Sequence, residues 1–103
     1  MINAESTDTV PEATQVQILG DVHVSATVRG FYLYSNNGGS PEGLSEFYWH
    51  LNGEVLEKEG QLDLKLTGAD GGKFLQFSVI PVASDGSRGV ERFSPTYKVI
   101  SGF

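Results

Sequence analysis

The feature that most constrains the fold is the alternation of apolar and polar side chains around Trp49, the only tryptophan of the chain. In residues 46–51 every second side chain is large and apolar, namely Phe47, Trp49 and Leu51. Successive side chains of a β-strand point to opposite faces, so this pattern predicts a strand with one buried face. A large ring near the middle of the chain is able to contact several other strands. We therefore expect the core to form around Trp49.

The same alternation recurs along the chain between clusters of Gly, Asn, Asp and Pro. It predicts further strands in residues 14–19, 24–34, 54–57, 61–67, 73–81 and 90–100. Pro95 lies within the last of these segments and confines that strand to an edge or a bulge. No segment has the period of a helix. About seven short antiparallel strands separated by turns predict an all-β fold, and specifically a β-sandwich.

Residues 24–34 form the longest predicted strand, and we assign its even-numbered side chains to the core. Phe31 and Leu33 then lie on the outer face. Gly30 interrupts the core face, and a glycine inside a strand often marks the close approach of a bulky neighbour. We expect that neighbour to be Trp49.

Composition limits the classes of partner. The 103 residues are enough for one domain. Thirteen acidic residues against seven basic ones give a net charge of −6 without a basic stripe, so nucleic acid is not expected as a partner. No apolar run approaches the roughly 20 residues that span a bilayer, so membrane insertion is not expected. The chain has no cysteine, which excludes disulfides and thiolate metal sites.

The N-terminal segment differs in composition from the rest. Residues 1–13 contain three acidic residues and no basic one, with too few large apolar side chains to offset the entropy of ordering. We therefore predict a flexible polar leader or linker in residues 1–13 and a single domain in residues 14–103.

Four stretches share a pattern with a known family. They are VSATVRGFYLYS at residues 24–35, EGLSEFYW at 42–49, DGGKFLQFSVIPV at 70–82 and DGSRG at 85–89. Together they resemble the second strand, the loop-and-tryptophan signature, the most recognisable block and the following turn of bacterial immunoglobulin-like repeats. These repeats occur in tandem in surface and secreted proteins. Ser25 is a departure, because such repeats usually have Gly at that position.

The resemblance implies an immunoglobulin-like β-sandwich that serves as a spacer or adhesive module and presents loops to a partner. It implies an extracellular setting, on a bacterial cell surface or a phage virion. The expected partners are neighbouring modules of a larger protein or assembly, and a host or cell-surface protein or glycan. The resemblance supplies no catalytic residue and no cofactor, so an enzyme is not expected.

A competing interpretation is a carbohydrate-binding module. Phe31, Leu33 and Tyr48 would form an exposed apolar patch if their strands are neighbours, and such patches mark contact surfaces. The loop at residues 36–42 would supply polar contacts from Asn36, Asn37 and Glu42.

Two turn aspartates, Asp70 and Asp85, are the remaining candidates for binding an ion. Calcium takes six to eight oxygen ligands, which two separate carboxylates do not approach, and nearby Lys73 and Arg88 would repel it. We therefore predict no metal site and interpret both aspartates as turn caps.

Overall fold

The computed structural model describes residues 10–56 and 61–101. The described part contains a one-turn 3-10 helix at Gly68–Asp70. Its other regular elements are the strands β1 (Glu12–Leu19), β2 (Thr27–Ser35), β3 (Glu46–Leu51), β4 (Glu54–Val55), β5 (Asp63–Lys65), β6 (Phe74–Ile80), β7 (Arg92–Phe93) and β8 (Tyr97–Lys98).

The strands form two antiparallel sheets that face each other across one core. The first sheet has the order β1-β2-β5, and the second has the order β4-β3-β6-β7, with β8 also paired to β6. This arrangement confirms the prediction of an all-β sandwich. β7 and β8 are the two parts of the strand predicted at residues 90–100, so the described strands correspond to the seven that were expected.

The break between β7 and β8 lies at the predicted position, around Pro95. Ser78 pairs with Phe93, whereas Leu75 pairs with Tyr97, so the edge strand gains one residue over this interval. Ser94 is buried there, and its hydroxyl accepts a hydrogen bond from the Phe77 N–H at 2.9 Å. The backbone N–H of Ser94 donates in turn to the Phe77 carbonyl at 2.7 Å. A side chain therefore completes the ladder where proline interrupts it.

Trp49 lies at the centre of the core, with 0% of its surface exposed, as the alternation predicted. Its ring centroid is 5.0 Å from that of Phe77, and its indole N–H donates to the Gln61 carbonyl at 2.9 Å. The buried cluster around it draws on both sheets and includes Ile18, Val28, Leu64, Leu66, Leu75, Val79 and Val99.

Gly30 does face a ring, but the ring is not the expected one. A Cβ atom placed on Gly30 would lie 2.4 Å from Cε1 and Cζ of Phe77. The prediction that Trp49 is its neighbour was therefore wrong. Trp49 and Phe77 are register partners on β3 and β6 and share the inward face. Strand alternation indicates this face, but it does not show which of two adjacent rings meets the opposite sheet.

The first strand begins earlier than predicted. β1 starts at Glu12, and Ala13 is 2% exposed, so the folded part includes the last two residues of the predicted leader. The leader prediction for residues 1–9 lies outside the described residues. A bulge follows between Thr14 and Gln17, where Gln15 has φ +53°. The bulge lets Ala13 and Ile18 both face the core, although an offset of about five positions would put them on opposite faces of a regular strand.

The second strand begins later than predicted, at Thr27 instead of Val24. Ser25 has φ +71°, in the left-handed region that is unsuited to an extended strand. This is the position at which the resembling repeats have Gly, so the departure noted in the sequence carries a conformational cost.

The antiparallel strands give the sandwich two ends. At one end, which we call the entry end, Glu12 pairs with Ser35 and Glu46 pairs with Ile80. At the other, the exit end, Leu51 pairs with Leu75 and Phe74 pairs with Lys98.

The described chain runs from the entry end to the exit end. The Val10 carbonyl accepts a hydrogen bond from the Asn37 side chain, in the loop between β2 and β3 at the entry end. The Ile100 carbonyl accepts from the Val24 N–H, and the Ile100 N–H donates to the Val22 carbonyl, both at the exit end. The first and last described residues therefore lie at opposite ends of the sandwich.

Candidate interaction site

The predicted apolar patch is divided between two surfaces. Phe31 and Leu33 lie on β2, in the three-stranded sheet, where Leu33 is 44% exposed. Tyr48 lies on β3, in the other sheet. Because β2 and β3 are not neighbours, the condition for a joint patch is not met, and the structure does not bring Tyr48 together with Phe31 and Leu33.

The loop at residues 36–42 has the irregular conformation expected from its sequence, and its two asparagine side chains bind the loop and the segment before β1. The Asn36 side-chain carbonyl accepts from the Gly38 N–H at 2.9 Å, and the Asn37 amide donates to Val10 at 3.1 Å. These contacts hold the loop beside the first strand. The two asparagines therefore have less hydrogen-bonding capacity left for a ligand.

Glu42 closes the other end of this loop. Its carboxylate accepts hydrogen bonds from the Ser45 hydroxyl at 2.7 Å and from the Tyr32 hydroxyl. Burial, together with the bond to Glu42, raises the pKa of the Tyr32 hydroxyl well above its ordinary value. Tyr32 therefore remains a neutral donor to Glu42 throughout the physiological pH range.

A cleft of about 260 Å³ brings two of the predicted contact residues together. Phe31 and Glu42 both line it, with Arg29, Tyr32 and Tyr34 beside them. The cleft combines aromatic rings with a carboxylate and a guanidinium group. Such a combination suits a small polar ligand with a flat face, for example a sugar ring.

Tyr48 belongs to a polar group on the outer face of the five-stranded sheet. Its hydroxyl donates to the Glu46 carboxylate at 2.8 Å, and Arg88 makes an ion pair with the same carboxylate. The bond from Arg88 and then that from Tyr48 hold the pKa of Glu46 below its ordinary value. The bond to Glu46 raises the pKa of Tyr48. This group fixes the start of β3 against the loop that carries Arg88.

A second polar chain crosses the same face from His50 to Glu91. The Ser78 hydroxyl donates to the Glu91 carboxylate at 2.7 Å, and the His50 Nε2 lies 2.8 Å from the same hydroxyl. Because the hydroxyl proton is directed at Glu91, Nε2–H is the donor to Ser78. In a catalytic triad the histidine stands between the acid and the nucleophile. Here the serine lies between the histidine and the acid instead. Ser78 is also 0% exposed, so its hydroxyl is not accessible to a substrate as a nucleophile.

The sequence interpretation missed the exposed apolar side chains at the two ends of the sandwich. Among the described residues, six of the nine exposed large apolar side chains lie there. The entry end has Val10, Leu44 and Val90, and the exit end has Leu19, Phe74 and Ile100. The signal available in the sequence was Leu44, a large apolar residue inside an otherwise polar loop.

The turn aspartates have the capping role predicted for them. The Asp70 carboxylate accepts from the Thr67 N–H at 2.7 Å, and the Asp85 carboxylate accepts from the Ser87 N–H at 2.9 Å. The second contact lowers the pKa of Asp85. Within residues 10–56 and 61–101, no three His, Asp or Glu side chains are grouped so that they would hold a metal ion. The same residues include no helix that is long and apolar enough to cross a membrane.

The two sheets, with β1-β2-β5 facing β4-β3-β6-β7, define an immunoglobulin-like β-sandwich module. The family model described as the AIR9 A9 domain matches residues 12–95. The chain therefore belongs to the AIR9 A9 domain family, which is immunoglobulin-like and typically non-catalytic. Comparisons with curated proteins and with solved structures gave no match.

Proposed function

We propose that this domain is a non-enzymatic structural module that holds neighbouring parts of a longer protein apart and presents loops to a partner. The observation that carries the proposal is the attachment of the chain at opposite ends of the sandwich. Asn37 binds the Val10 carbonyl at the entry end, and Val24 and Val22 bind Ile100 at the exit end. A module attached in this way adds its own length to the distance between its neighbours.

Two observations support a non-enzymatic role, namely the family and the arrangement of the polar side chains. The family is typically non-catalytic. The two polar groups of the outer face consist of side chains that bind one another, Glu46 with Tyr48 and Arg88, and Ser78 with His50 and Glu91. The described polar groups therefore act as links between strands.

We place the parent protein outside a bacterial cell or on a phage virion, as a cell-surface or virion-surface component. Support for this setting comes from the resemblance of residues 24–35, 42–49 and 70–82 to tandem bacterial immunoglobulin-like repeats. The net charge of −6 is compatible with a soluble surface module.

Small-angle X-ray scattering of chains that contain one, two and four copies in tandem tests the spacer role. The expected result is that the maximum dimension rises by a constant increment per copy, close to the length of one sandwich. A four-copy chain that is compact, with a maximum dimension close to that of two copies, would contradict the proposal.

A carbohydrate-binding role is the second candidate, and the cleft between Phe31 and Glu42 favours it. A glycan array tests this role directly. The expected result for a sugar-binding module is a selective signal that Phe31→Ser abolishes and Leu33→Ser preserves. Leu33 is a matched control, because it is exposed on the same strand outside the cleft residues. A uniform background for the unchanged protein rules this role out for the glycans on the array.

A further inference from the structure

Large apolar side chains are exposed at both ends of the sandwich, where no other described residue covers them. At the entry end Leu44 is 89% exposed and Val90 is 68% exposed, whereas Phe74 and Ile100 are each 51% exposed at the exit end. Large apolar side chains at such exposure mark contact surfaces when they are grouped. Their position at the two ends, where neighbouring modules would attach, indicates the direction from which a partner approaches.

The entry end also has a concave surface beside Leu44. A cavity of about 420 Å³ lies against Gly43, Leu44, Val82 and Ala83. Gly43 has no room for a side chain there, because an added Cβ would lie 2.8 Å from the Ala83 carbonyl oxygen. The entry end therefore presents both a projecting leucine and an apolar recess next to it.

The two ends of the sandwich also differ in net charge. Among the described residues, the entry half contains five carboxylates against two guanidinium groups, an excess of three negative charges. The carboxylates are those of Glu12, Glu42, Glu46, Asp85 and Glu91, and the guanidinium groups are those of Arg88 and Arg92. The charges of the described residues in the exit half are balanced, with Asp21, Glu54, Asp63 and Asp70 against Arg29, Lys65, Lys73 and Lys98.

The charges of the two ends favour contact between an entry end and an exit end. Two entry ends would bring like charges together, which opposes contact between them. At the exit end Lys73 precedes Phe74 and Lys98 pairs with Phe74 across the sheet, and neither lysine makes an ion pair within the described residues. An entry end that meets an exit end covers apolar surface on both sides and places carboxylates opposite ammonium groups.

We propose that this domain docks head to tail on a second copy of itself, with the entry end of one copy against the exit end of the next. Leu44 and Val90 of one copy cover Phe74 and Ile100 of the other. The inference rests on the proposed function, because the second copy stands for the adjacent module of the same family. The contact is heterologous, and because its two surfaces lie at opposite ends of the domain, it extends from copy to copy as a chain.

Self-association of the full 103-residue chain tests this inference. Sedimentation velocity at increasing concentration, up to about 1 mM, is expected to show weak, concentration-dependent association. Leu44→Ser and Ile100→Ser are each expected to weaken it roughly tenfold or more, from the apolar burial that each substitution removes. Leu33→Ser, at an exposed position on a face of the sandwich, is the matched control and is expected to have no effect. Equal melting temperatures show that the variants remain folded.

Mixing the two variants determines the geometry of the contact. Leu44→Ser keeps an intact exit end and Ile100→Ser keeps an intact entry end, so an equimolar mixture restores one complete junction. The expected result is a heterodimer in the mixture with the association constant of the unchanged protein, while each variant alone is monomeric at the same concentration. Association of Ile100→Ser alone, undiminished, would show contact between two entry ends and would overturn the proposal. Monomeric behaviour of the unchanged protein would overturn the docking proposal as well. It would not affect the spacer proposal, which is tested by the rise in maximum dimension per copy in the tandem chains.

Discussion

Gly30 on β2 lies directly against the ring of Phe77 on β6, so that the backbone of one sheet meets a side chain of the other at this pair. A Cβ atom on Gly30 would lie 2.4 Å from Cε1 and Cζ of the ring, far inside any contact distance that real structures show. The core therefore has no space for a side chain at residue 30, and Phe77 fills the volume that one would occupy.

Gly30→Ala is expected to destabilise the domain by about 1–3 kcal/mol, the usual cost of overpacking a core. The measurement is the free energy of unfolding from urea denaturation. Gly68→Ala is the matched control, because no atom lies within 4 Å of an added Cβ there. If Phe77 is the obstacle, Phe77→Leu is expected to lessen the cost of Gly30→Ala in a double-mutant cycle. A neutral or stabilising Gly30→Ala would contradict this placement.

Trp49→Ala is expected to cost about 3–5 kcal/mol, because it empties the largest buried site of the core. A domain of this size has a total stability of about 5–15 kcal/mol, so the variant would be marginal. Trp49→Phe is expected to cost less, since it keeps a ring against Phe77 and loses the bond from the indole N–H to Gln61. An unchanged urea midpoint for Trp49→Ala would refute the central position of this side chain.

Local periodicity was enough to predict where most of the strands lie and which side chains of β3 and β6 face inward. β3 and β6 lie within the predicted segments, Trp49 is buried, and Pro95 marks the interruption of the edge strand. These features depend on neighbours in the sequence, through the alternation of side chains along a strand and the missing N–H of proline.

The features that could not be predicted depend on contacts distant in sequence. The alternation around Tyr48 shows that it points outward, but only the pairing of β3 with β6 shows that it lies on the sheet opposite Phe31. The sequence predicted Phe31 and Glu42 as contact residues of one surface, but for the same reason it did not show that they line a cleft together with Tyr32. The bulge at Gln15 was also missed. It changes which side chains of β1 face the core, but no residue type in the sequence indicates this change.

Ser25→Gly is expected to stabilise the domain by a few tenths of a kcal/mol to about 1 kcal/mol. Ser25 has φ +71°, which costs about 1 kcal/mol or more for a residue with a Cβ, and glycine removes most of this cost. The greater freedom of glycine in the unfolded chain offsets part of the gain. Ser84→Gly, at an exposed serine with negative φ, is the control and is expected to destabilise slightly. Lower melting temperatures for both variants would show that Ser25 is not strained.

Ser94→Ala is expected to destabilise the domain by about 1–3 kcal/mol. The Ser94 hydroxyl accepts from the buried Phe77 N–H at 2.9 Å, and its removal leaves that N–H without an acceptor next to the proline interruption. Ser84→Ala is the exposed control and is expected to be close to neutral. Amide hydrogen exchange at Phe77 supplies a second measurement, because protection there is expected to fall more than protection elsewhere in β6. Unchanged protection would indicate that a neighbouring group or a water molecule replaces the hydroxyl.

Glu46→Gln is expected to change how the stability of the domain depends on pH. The hydrogen bonds from Arg88 and Tyr48 lower the pKa of Glu46 in the folded state. The ionised carboxylate therefore stabilises the fold fully above its ordinary pKa of about 4.3, and this contribution is lost as the pH falls through the lower folded value. The variant lacks the titrating group, so the stability difference between the two proteins is expected to be largest near neutral pH and to shrink toward pH ~2–3. Urea denaturation at several pH values measures this difference in stability. Because the ion pair with Arg88 is partly exposed, salt screens it, and the difference near neutral pH is also expected to shrink in about 1 M salt. A difference that stays constant from neutral to acid pH would show that the carboxylate of Glu46 acts only through packing.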